Sequence, residues 1–395
     1  MIDPQRPEVL VSASGVVSAF GASGAALWEG LLAGATCVGP CPELGLDLDG
    51  QPLRAARVPD EALGPELAGA GRDRTAALVS AAARQLLAAP AWATVQPDRL
   101  GVCLGTTQGP IGAWTADQLA LAHNPAHRPA PPSLAAPTVW LARLLGARGP
   151  VACPSMACAT ATAAIGIGLD WIRAGVCDAV VAGGADALSP LVHAGFGSLK
   201  ALDPLSPRPF DRDRAGLGTG EGAALVLLQR AQADLPPRAP RLLGWAQSAD
   251  ANHLTGPDPT GAGVARALRG ALADAGIAAE EVDFVNAHGT ATSFNDLMEG
   301  KALLSVLGDR TPHVPVNSIK GAIGHTMAAA GAIEAVLCAL VLEHGLIPAT
   351  TGLTLLDPEI RLDLVIGRPR AARVRTALST SSGFGGVNAA IVLRA

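Results

Sequence analysis

Residues 149–175 read GPVACPSMACATATAAIGIGLDWIRAG. After a short apolar run and Cys158, this stretch consists almost wholly of Ala, Gly, Thr and Ile, so it predicts a helix deep inside the protein with other backbones packed against it. A thiol in the first turn of that helix would face unpaired backbone N–H groups and the positive end of the helix dipole, and both favour thiolate over thiol. Cys158 is therefore a candidate nucleophile, although an isolated cysteine is more often a small buried apolar residue.

The composition is typical of a globular protein with a large apolar core. The chain has 395 residues, of which 49% are hydrophobic and 16% are charged. This length is enough for two domains or for two fused halves of one fold. The formal net charge of −5 and the lack of a Lys/Arg run argue against a nucleic-acid-binding protein.

The cysteines and the N-terminus indicate the compartment. Seven cysteines occur without a C-x-x-C pair or a nearby His pair for zinc, so reduced thiols, a cytoplasmic protein and no metal are expected. Residues 1–15 lack the basic and then apolar pattern of a signal peptide. Residues 149–169 are uncharged, but Pro154 and the many small side chains favour a buried helix over a membrane span.

Short apolar segments alternate with helical patterns along the chain. Strands are predicted at 8–12, 100–104, 179–182, 223–228, 282–286 and 389–393, and helices at 25–33, 72–87, 263–275 and 327–342. This alternation is typical of an α/β protein with a parallel or mixed buried sheet. Each half places a reactive residue, Cys158 or His325, ahead of a helix rich in Ala and Gly, which suggests a duplication into residues 1–235 and 236–395.

Three segments of the second half could carry chemistry. His288 stands in VNAHGTAT at the predicted carboxyl end of a strand, where polar groups of α/β sheets commonly face a site. Lys320 and His325 stand in NSIKGAIGHT, with Glu334 fourteen residues after the lysine, and residues 382–388 read SGFGGVN. Taken singly, these segments are equally compatible with a structural histidine, a solvated lysine and an ordinary glycine turn.

Taken together, the motifs resemble the β-ketoacyl-[acyl-carrier-protein] synthases, the elongating condensing enzymes of the thiolase superfamily. The resemblance covers nearly the whole chain, in the order VSASGVVSAFG, GVCLGTTQG, ACAT, VVAGGADAL, RPFDRDRAGLGTGEGAA, VNAHGTAT, NSIKGAIGHTMAAAGAIEA and GFGGVN. It implies a thiolase-like α/β fold whose two duplicated halves form a five-layered αβαβα arrangement. It also implies an acyltransferase that condenses malonyl carrier protein, with loss of CO₂, onto an acyl chain held by the enzyme.

The resemblance implies roles for the matching catalytic residues. Cys158 would hold the acyl chain as a thioester, and its backbone N–H would form an oxyanion hole with that of Phe384. His288 and His325, as neutral imidazole donors, would bind the malonyl thioester carbonyl and support loss of CO₂. Lys320 would form a buried ion pair with a partner carboxylate, and the family pattern assigns that position to Glu334.

The resemblance also implies how substrate is held. Thr290 and Thr292 would bind the pantetheine arm, and Phe384 would gate the acyl tunnel on a glycine-rich loop. Ser382 stands where housekeeping fatty-acid enzymes usually have an aromatic residue, and Val387 stands where Thr is usual. Because both departures lie beside the acyl pocket, Ser382 is a candidate substrate-binding residue. A type II polyketide, polyene or secondary fatty-acid pathway therefore competes with housekeeping fatty-acid synthesis.

Other branches of the superfamily differ at single residues. Degradative thiolases carry a second cysteine in the C-terminal glycine loop, and chain-initiating enzymes pair Cys and His with Asn, whereas this chain has GFGG and GHT. Chain-length factors lack the nucleophile, and Cys158 favours an active synthase over them. The alternative is a non-catalytic, carrier-protein-binding or chain-length-factor-like subunit of a ketosynthase heterodimer.

The resemblance implies partners as well. An acyl carrier protein is acidic, so basic residues should line its docking face. Arg72 and Arg74 are candidates for that face, with a solvated helix surface as the other explanation. The chain is expected to form a homodimer or a heterodimer with a chain-length factor. No organic cofactor, metal, nucleic acid or membrane is expected.

Overall fold

The structure is a computed structural model, and it describes residues 6–47, 50–69, 73–129, 133–232 and 239–395. Its strands are β1 Val9–Val17, β2 Gly39–Pro40, β3 Arg54–Ala56, β4 Leu100–Gly105, β5 Val151–Ala152, β6 Ala179–Asp186, β7 Thr219–Gly220, β8 Gly222–Arg230, β9 Arg241–Ala249, β10 Phe284–Asn286, β11 Pro315–Asn317, β12 Leu346–Ile347, β13 Asp363–Leu364, β14 Arg370–Ala371, β15 Thr376–Gly383 and β16 Val387–Arg394. Its helices are α1 Gly24–Leu32, α2 Asp60–Leu63, α3 Pro65–Gly69, α4 Arg74–Ala88, α5 Ile111–His123, α6 Ala136–Leu144, α7 Thr160–Arg173, α8 Pro190–Ser198, α9 Ala262–Ala275, α10 Ser293–Leu307, α11 Lys320–Ile323 and α12 Ala330–His344.

The same pattern of strand pairing occurs twice. An 11-stranded sheet has the order β13-β11-β10-β15-β16-β9-β1-β8-β6-β4-β5, and its two halves meet where β1 pairs with β9. In the first half β8 is antiparallel to β1 and β6, and β4 is parallel to β6 and β5. In the second half β16 is antiparallel to β9 and β15, and β10 is parallel to β15 and β11. The predicted boundary between residues 235 and 236 lies outside the described residues, so the division into two halves at that point stays a prediction.

Helices cover both half-sheets and also lie between them. Helices α4 and α6 pack on the outside of the first half-sheet, α9 and α10 cover the second, and α7 and α12 lie between the two. Three buried apolar clusters follow these layers, and the central one joins α7 and α12 to strands of both halves. The predicted five-layered αβαβα arrangement is therefore confirmed.

Small side chains allow α7 and α12 to occupy the central layer. A Cβ atom added to Gly331 of α12 would lie 1.9 Å from Thr162 Oγ1 of α7, and one added to Gly166 would overlap the ring of Trp245. Among the described residues, one helical segment, Met327–His344, is long and apolar enough to cross a membrane, and 78% of it is buried inside the protein. Such burial is typical of a core helix.

Several boundaries differ from the sequence-based expectation. Helix α7 begins at Thr160, so Cys158 precedes the helix instead of lying in its first turn. Strands β9 and β15 and helix α10 were not predicted, because their sequences lack a clear apolar run or a strong helical period. Strand β15, TALSTSSG, is buried along most of its length despite its hydroxyl side chains.

Candidate active site

One cavity collects the predicted reactive side chains. It has a volume of about 380 Å³, and Cys158, His288 and His325 lie on its wall. Cys158 comes from the connection that precedes α7, His288 follows β10, and His325 precedes the turn that leads into α12. The two halves of the chain therefore each supply part of the site.

A tight turn presents Cys158 to the cavity. Ala157 has a φ of 47°, a left-handed conformation that is unusual for a residue with a side chain. Thr160 Oγ1 accepts a hydrogen bond from the Met156 backbone N–H at 2.7 Å and donates one to the Ala157 carbonyl at 2.6 Å. These bonds hold the strained turn, and such strain is common at functional sites.

The electrostatics of the thiol differ from the sequence-based expectation. Burial raises the pKa of Cys158 to about 11, although the charge of Lys320 and the backbone N–H of Phe384 act in the opposite direction. The prediction that the helix terminus would favour thiolate is therefore wrong, since the loss of solvation exceeds the stabilisation. At neutral pH the resting side chain is a neutral thiol.

His325 is in direct contact with the sulfur. Its Nε2 lies 2.9 Å from Cys158 Sγ, and its Nδ1 accepts a hydrogen bond from the Met327 backbone N–H at 3.3 Å. Because Nδ1 is an acceptor, the proton of the neutral ring lies on Nε2 and points towards the cavity. Burial, reinforced by the charge of Lys320, lowers the pKa of His325 well below its usual range, so the ring is neutral at physiological pH.

His288 is held through its backbone. Its N–H donates to Glu299 Oε1 at 2.7 Å, and its carbonyl accepts from Lys320 Nζ at 2.6 Å. Burial is the main cause that lowers the pKa of His288 well below its usual range, and the charge of Lys320 adds to it. The ring of His288 stands edge-on to that of His325, with centroids 5.3 Å apart. Both imidazoles are thus neutral groups that face one space.

Lys320 and Glu334 form an ion pair behind the histidines. Lys320 Nζ lies 2.5 Å from Glu334 Oε1, and both side chains are almost fully buried. Burial raises the pKa of Glu334, and Lys320 opposes that rise. Lys320 and Glu334, fourteen residues apart in the sequence, are therefore in direct contact in the folded chain.

The thiol and the two imidazoles also have the spacing of a metal site. Their ligand atoms lie within 4.8 Å of one another. However, Lys320 places a buried positive charge close enough to affect the pKa of all three groups. A cation in this position would be repelled by that charge, so the arrangement suits an anionic reaction intermediate better than a metal ion.

Comparison with known proteins identifies the family. Residues 6–234 match the Beta-ketoacyl synthase, N-terminal domain, and residues 240–354 match the Beta-ketoacyl synthase, C-terminal domain. The tetracenomycin polyketide synthase ketoacyl synthase alpha subunit of Streptomyces glaucescens is 35% identical, over 98% of this chain and 96% of that protein.

The chain belongs to the β-ketoacyl synthase family.

Further relatives of this β-ketoacyl synthase include a 3-oxoacyl-[acyl-carrier-protein] synthase and a solved ketosynthase/chain length factor. The 3-oxoacyl-[acyl-carrier-protein] synthase 2 of Synechocystis sp. is 33% identical, over 100% of this chain and 99% of that protein. The solved ishigamide ketosynthase/chain length factor is 33% identical with a TM-score of 0.88, covering 98% of this chain and 99% of that one. The predicted thiolase-like fold and acyltransferase activity by condensation are therefore confirmed.

The predicted arm-binding threonines of the synthase line the same cavity. Thr290 Oγ1 and Thr292 Oγ1 lie 2.9 Å apart, and the Thr290 N–H donates to Asp296 Oδ1 at 3.0 Å. Asp296 and Glu299 stand three residues apart in α10, and their carboxylates accept backbone N–H groups of the segment that follows β10. Sequence reasoning missed both carboxylates, although their spacing places them on one helix face.

The glycine loop of the synthase reaches over the nucleophile. Phe384 lies on the cavity wall, with its ring centroid 5.5 Å from that of Phe196. The Gly385 N–H donates to the Leu254 carbonyl at 2.7 Å, and Asn388 Nδ2 donates to Asp250 Oδ1 at 2.7 Å. The loop is therefore tied to the segment after β9, a partner that the sequence did not suggest.

A third missed carboxylate lies at the end of β6. Asp186 is fully buried and accepts hydrogen bonds from Thr106 Oγ1 at 2.6 Å and from the Ala328 N–H at 2.9 Å. It thereby joins the loop that follows β4 to the turn that follows His325. The only sequence signal was an acidic residue at the end of the apolar run VVAGGAD.

The two docking candidates have different outcomes. Arg74 donates to Glu221, whose side chain is fully buried, at 2.7 Å, and to Asp60 at 2.7 Å. Its charge is thus balanced within the chain, which leaves it less available to a carrier protein. Arg72 lies outside the described residues.

Proposed function

We propose that this chain is the catalytic ketosynthase subunit that elongates acyl chains carried on discrete acyl carrier proteins, with Cys158 as the nucleophile. The observation that carries the proposal is the contact between His325 Nε2 and Cys158 Sγ in a cavity that also contains His288. Two neutral N–H donors beside a thiol are what thioester exchange followed by decarboxylation requires.

In the first step, the sulfur of Cys158 attacks the thioester carbonyl of the acyl carrier protein. The carbon–sulfur bond to the carrier's pantetheine breaks, and the Cys158 proton ends on the released pantetheine thiol, so atoms and charge balance. The backbone N–H groups of Cys158 and Phe384 are proposed to bind the oxyanion of the tetrahedral intermediate. The proximity of the Phe384 N–H to the sulfur supports this role.

In the second step, a malonyl thioester replaces the first carrier. His288 and His325 are proposed to donate hydrogen bonds to its thioester carbonyl as the bond to the carboxylate breaks and CO₂ leaves. The enolate carbon then attacks the Cys158 thioester, and the carbon–sulfur bond to the enzyme breaks to give a 3-oxoacyl product two carbons longer. Both imidazoles must be neutral, because an imidazolium would transfer its proton to the enolate before the enolate attacks the thioester. The lowered pKa values of His288 and His325 support the assignment.

The remaining site residues are proposed to support these steps. Lys320 and Glu334 would fix His288 through its carbonyl, and Thr290 and Thr292 would bind the pantetheine arm. Phe384 would gate the acyl tunnel. Its partial exposure and the two glycines that follow it, Gly385 and Gly386, support such movement.

A chain-length-factor-like role is the alternative. Such a subunit needs no nucleophile, whereas this chain brings Cys158, both histidines and the Lys320–Glu334 pair to one cavity. The catalytic proposal is therefore the better supported of the two.

The proposed assembly is a dimer, with either a second copy or a chain-length factor. Four apolar side chains of α6 and β5, at one end of the sheet, are exposed in the single chain: Val139, Trp140, Leu144 and Val151. Their exposure supports a protein partner at this end of the sheet.

All seven cysteines are free thiols, which supports a cytoplasmic location. Recovery of the protein in the cytosolic fraction tests the location, and its mass in solution tests the dimer.

Intact-mass spectrometry tests the catalytic proposal. The wild type and Cys158→Ala are incubated with acyl carrier protein thioesters of several chains, and with a co-purified partner where one is found. An acyl adduct on the wild type alone, followed by release of CO₂ and a 3-oxoacyl product on addition of malonyl carrier protein, is the expected result. An equal adduct on Cys158→Ala, or no adduct in the full complex, contradicts the proposal.

A further inference from the structure

A buried histidine outside the cavity is bonded to the segment that holds His325. Of the nine residues of α8, all of which the structure describes, only His193 is buried. Its Nδ1 lies 3.0 Å from Oγ1 of Thr219 in β7, and this threonine is only 1% exposed. Burial lowers the pKa of His193, so its ring is neutral at physiological pH. A neutral imidazole and a hydroxyl group can each donate or accept, so the contact is a hydrogen bond between two uncharged side chains.

Thr219 stands beside the main chain of His325. The two residues form a parallel β-bridge, in which the His325 N–H donates to the Gly218 carbonyl at 2.7 Å and the His325 carbonyl accepts from the Gly220 N–H at 2.9 Å. Both main-chain polar groups of His325 are therefore bonded to the residues that flank Thr219. A shift of β7 would carry His325 with it and would change the 2.9 Å contact between its Nε2 and the sulfur of Cys158.

The segment that holds His325 has few side chains that can fix its position. Residues 216–220 read GLGTG, so Thr219 supplies the one polar side chain of this segment. Glycine leaves a main chain unusually free unless other contacts restrain it. The main chain of β7 pairs with β3, and the side chain of Thr219 is restrained by His193. The bond to His193 is thus the side-chain anchor of a segment rich in glycine.

The anchor is itself part of the cavity wall. Helix α8 also carries Phe196, which lines the cavity with its ring centroid 5.5 Å from that of Phe384. One short helix therefore contacts the glycine loop through Phe196 and the segment that holds His325 through His193. Because a hydrogen bond is directional and apolar contact is not, the His193–Thr219 pair fixes the distance between helix and segment more narrowly than apolar packing would.

We propose that His193 is a positioning residue for His325: by holding Thr219, it keeps the His325 ring where it donates to the malonyl thioester carbonyl. This inference rests on the proposed function, in which His325 acts in decarboxylation while backbone N–H groups serve the acylation of Cys158. Loss of the bond should therefore slow decarboxylation and leave acylation nearly unchanged. A purely structural role predicts a different result, because a smaller folded fraction slows both steps equally.

Separate measurement of the two steps tests the inference. Acylation is followed by intact mass with an acyl carrier protein thioester, and the second step is followed as CO₂ released when malonyl carrier protein is added to enzyme already acylated on Cys158. In His193→Leu and in Thr219→Val the second step is expected to be about 10-fold slower, with acylation within about twofold of the wild-type rate. Either variant decides the outcome if the other fails to fold.

Conservative variants assign the loss to the hydrogen bond. His193→Asn keeps a hydrogen-bonding atom at the position of Nδ1, and Thr219→Ser keeps the hydroxyl, so both should recover most of the second step. Thr311→Val is the matched control, because Thr311 is also fully buried and its hydroxyl donates to the Gly308 carbonyl at 2.6 Å. This control should keep the wild-type ratio of the two rates.

Three results overturn the inference alone. These are equal losses in both steps in His193→Leu or Thr219→Val, an unchanged second step in these variants, and a folded His193→Asn that does not recover it. A wild type that no carrier-bound chain acylates removes the proposed function and this inference with it.

Discussion

Nε2 of His325 lies 2.9 Å from Sγ of Cys158, while Nδ1 of the same ring accepts the Met327 N–H. This tautomer presents a proton to the sulfur and leaves no lone pair on Nε2 to remove one. His325 is thus arranged as a hydrogen-bond donor in the resting site. The thiol and the imidazole are both neutral, which distinguishes this pair from a thiolate–imidazolium pair.

Alkylation of Cys158 should therefore depend steeply on pH. Because the pKa of this thiol is raised to about 11, the thiolate fraction rises about tenfold for each pH unit between 6.5 and 9. The rate of iodoacetamide addition, located at Cys158 by peptide mapping, is expected to follow the same slope. Glutathione in the same buffers is the reference, and Cys158→Ala is the control for labelling elsewhere. A rate that is flat across this range would show a preformed thiolate instead.

Removing either partner of the Lys320–Glu334 pair should destabilise the protein. Glu334→Gln or Lys320→Met leaves one buried charge without its counter-ion, at a cost of about 3–5 kcal/mol in the free energy of unfolding. The double variant Lys320→Met/Glu334→Gln should recover most of that loss while remaining poorly active, since the bond to the His288 carbonyl is absent. Urea denaturation and condensation assays measure the two effects. Additive losses of stability in the double variant would contradict a direct pair.

Glu299→Gln should slow condensation more than it weakens substrate binding. The Glu299 carboxylate accepts the N–H groups of His288 at 2.7 Å and of Gly289 at 2.8 Å, and an amide presents its NH₂ group to one of them. The expected result is a kcat about 10- to 100-fold lower with a nearly unchanged KM for the malonyl carrier protein. Glu343→Gln, on the exposed end of α12, is the matched control and should leave both constants unchanged. A change confined to KM would argue against a role in positioning His288.

Gly383→Ala should impair acylation of Cys158. Its added methyl group would lie 2.9 Å from the Cys158 nitrogen, and the backbone there cannot yield without moving the nucleophile. A displacement of about 1 Å costs about 100-fold in rate. Gly24→Ala, at a position with no atom within 4 Å of the added carbon, is the control and should be silent. Intact-mass acylation rates for the two variants check this prediction, which a fully active Gly383→Ala would refute.

The sequence predicted the chemistry of the site better than its surroundings. Cys158, His288, His325 and Lys320 each stand in a recognisable motif, and the structure brings them together. Their catalytic roles stay predictions until variants are assayed. The carboxylates that hold the site could not be located in this way, because Glu299 acts through contacts that only the folded chain creates.

Two features show why local patterns were insufficient. Strand β15 is buried although it is rich in Ser and Thr, and some of its hydroxyl groups find partners in other elements, as Ser381 does with Thr162 and Ser379 does with Asn286. The sign of the Cys158 pKa shift was also misjudged. A helix terminus can be seen in a sequence, whereas the desolvation that exceeds its effect depends on packing from both halves of the chain.

The neutral state of Cys158 has a consequence for damage by oxidants. Peroxide attacks thiolates far faster than thiols, so a nucleophile with a pKa of about 11 is a slow target between turnovers. The sulfenic, sulfinic and sulfonic acids that disable exposed low-pKa cysteines would accumulate slowly at this position. The packing that holds the thiol protonated therefore also protects Cys158 from oxidation between turnovers.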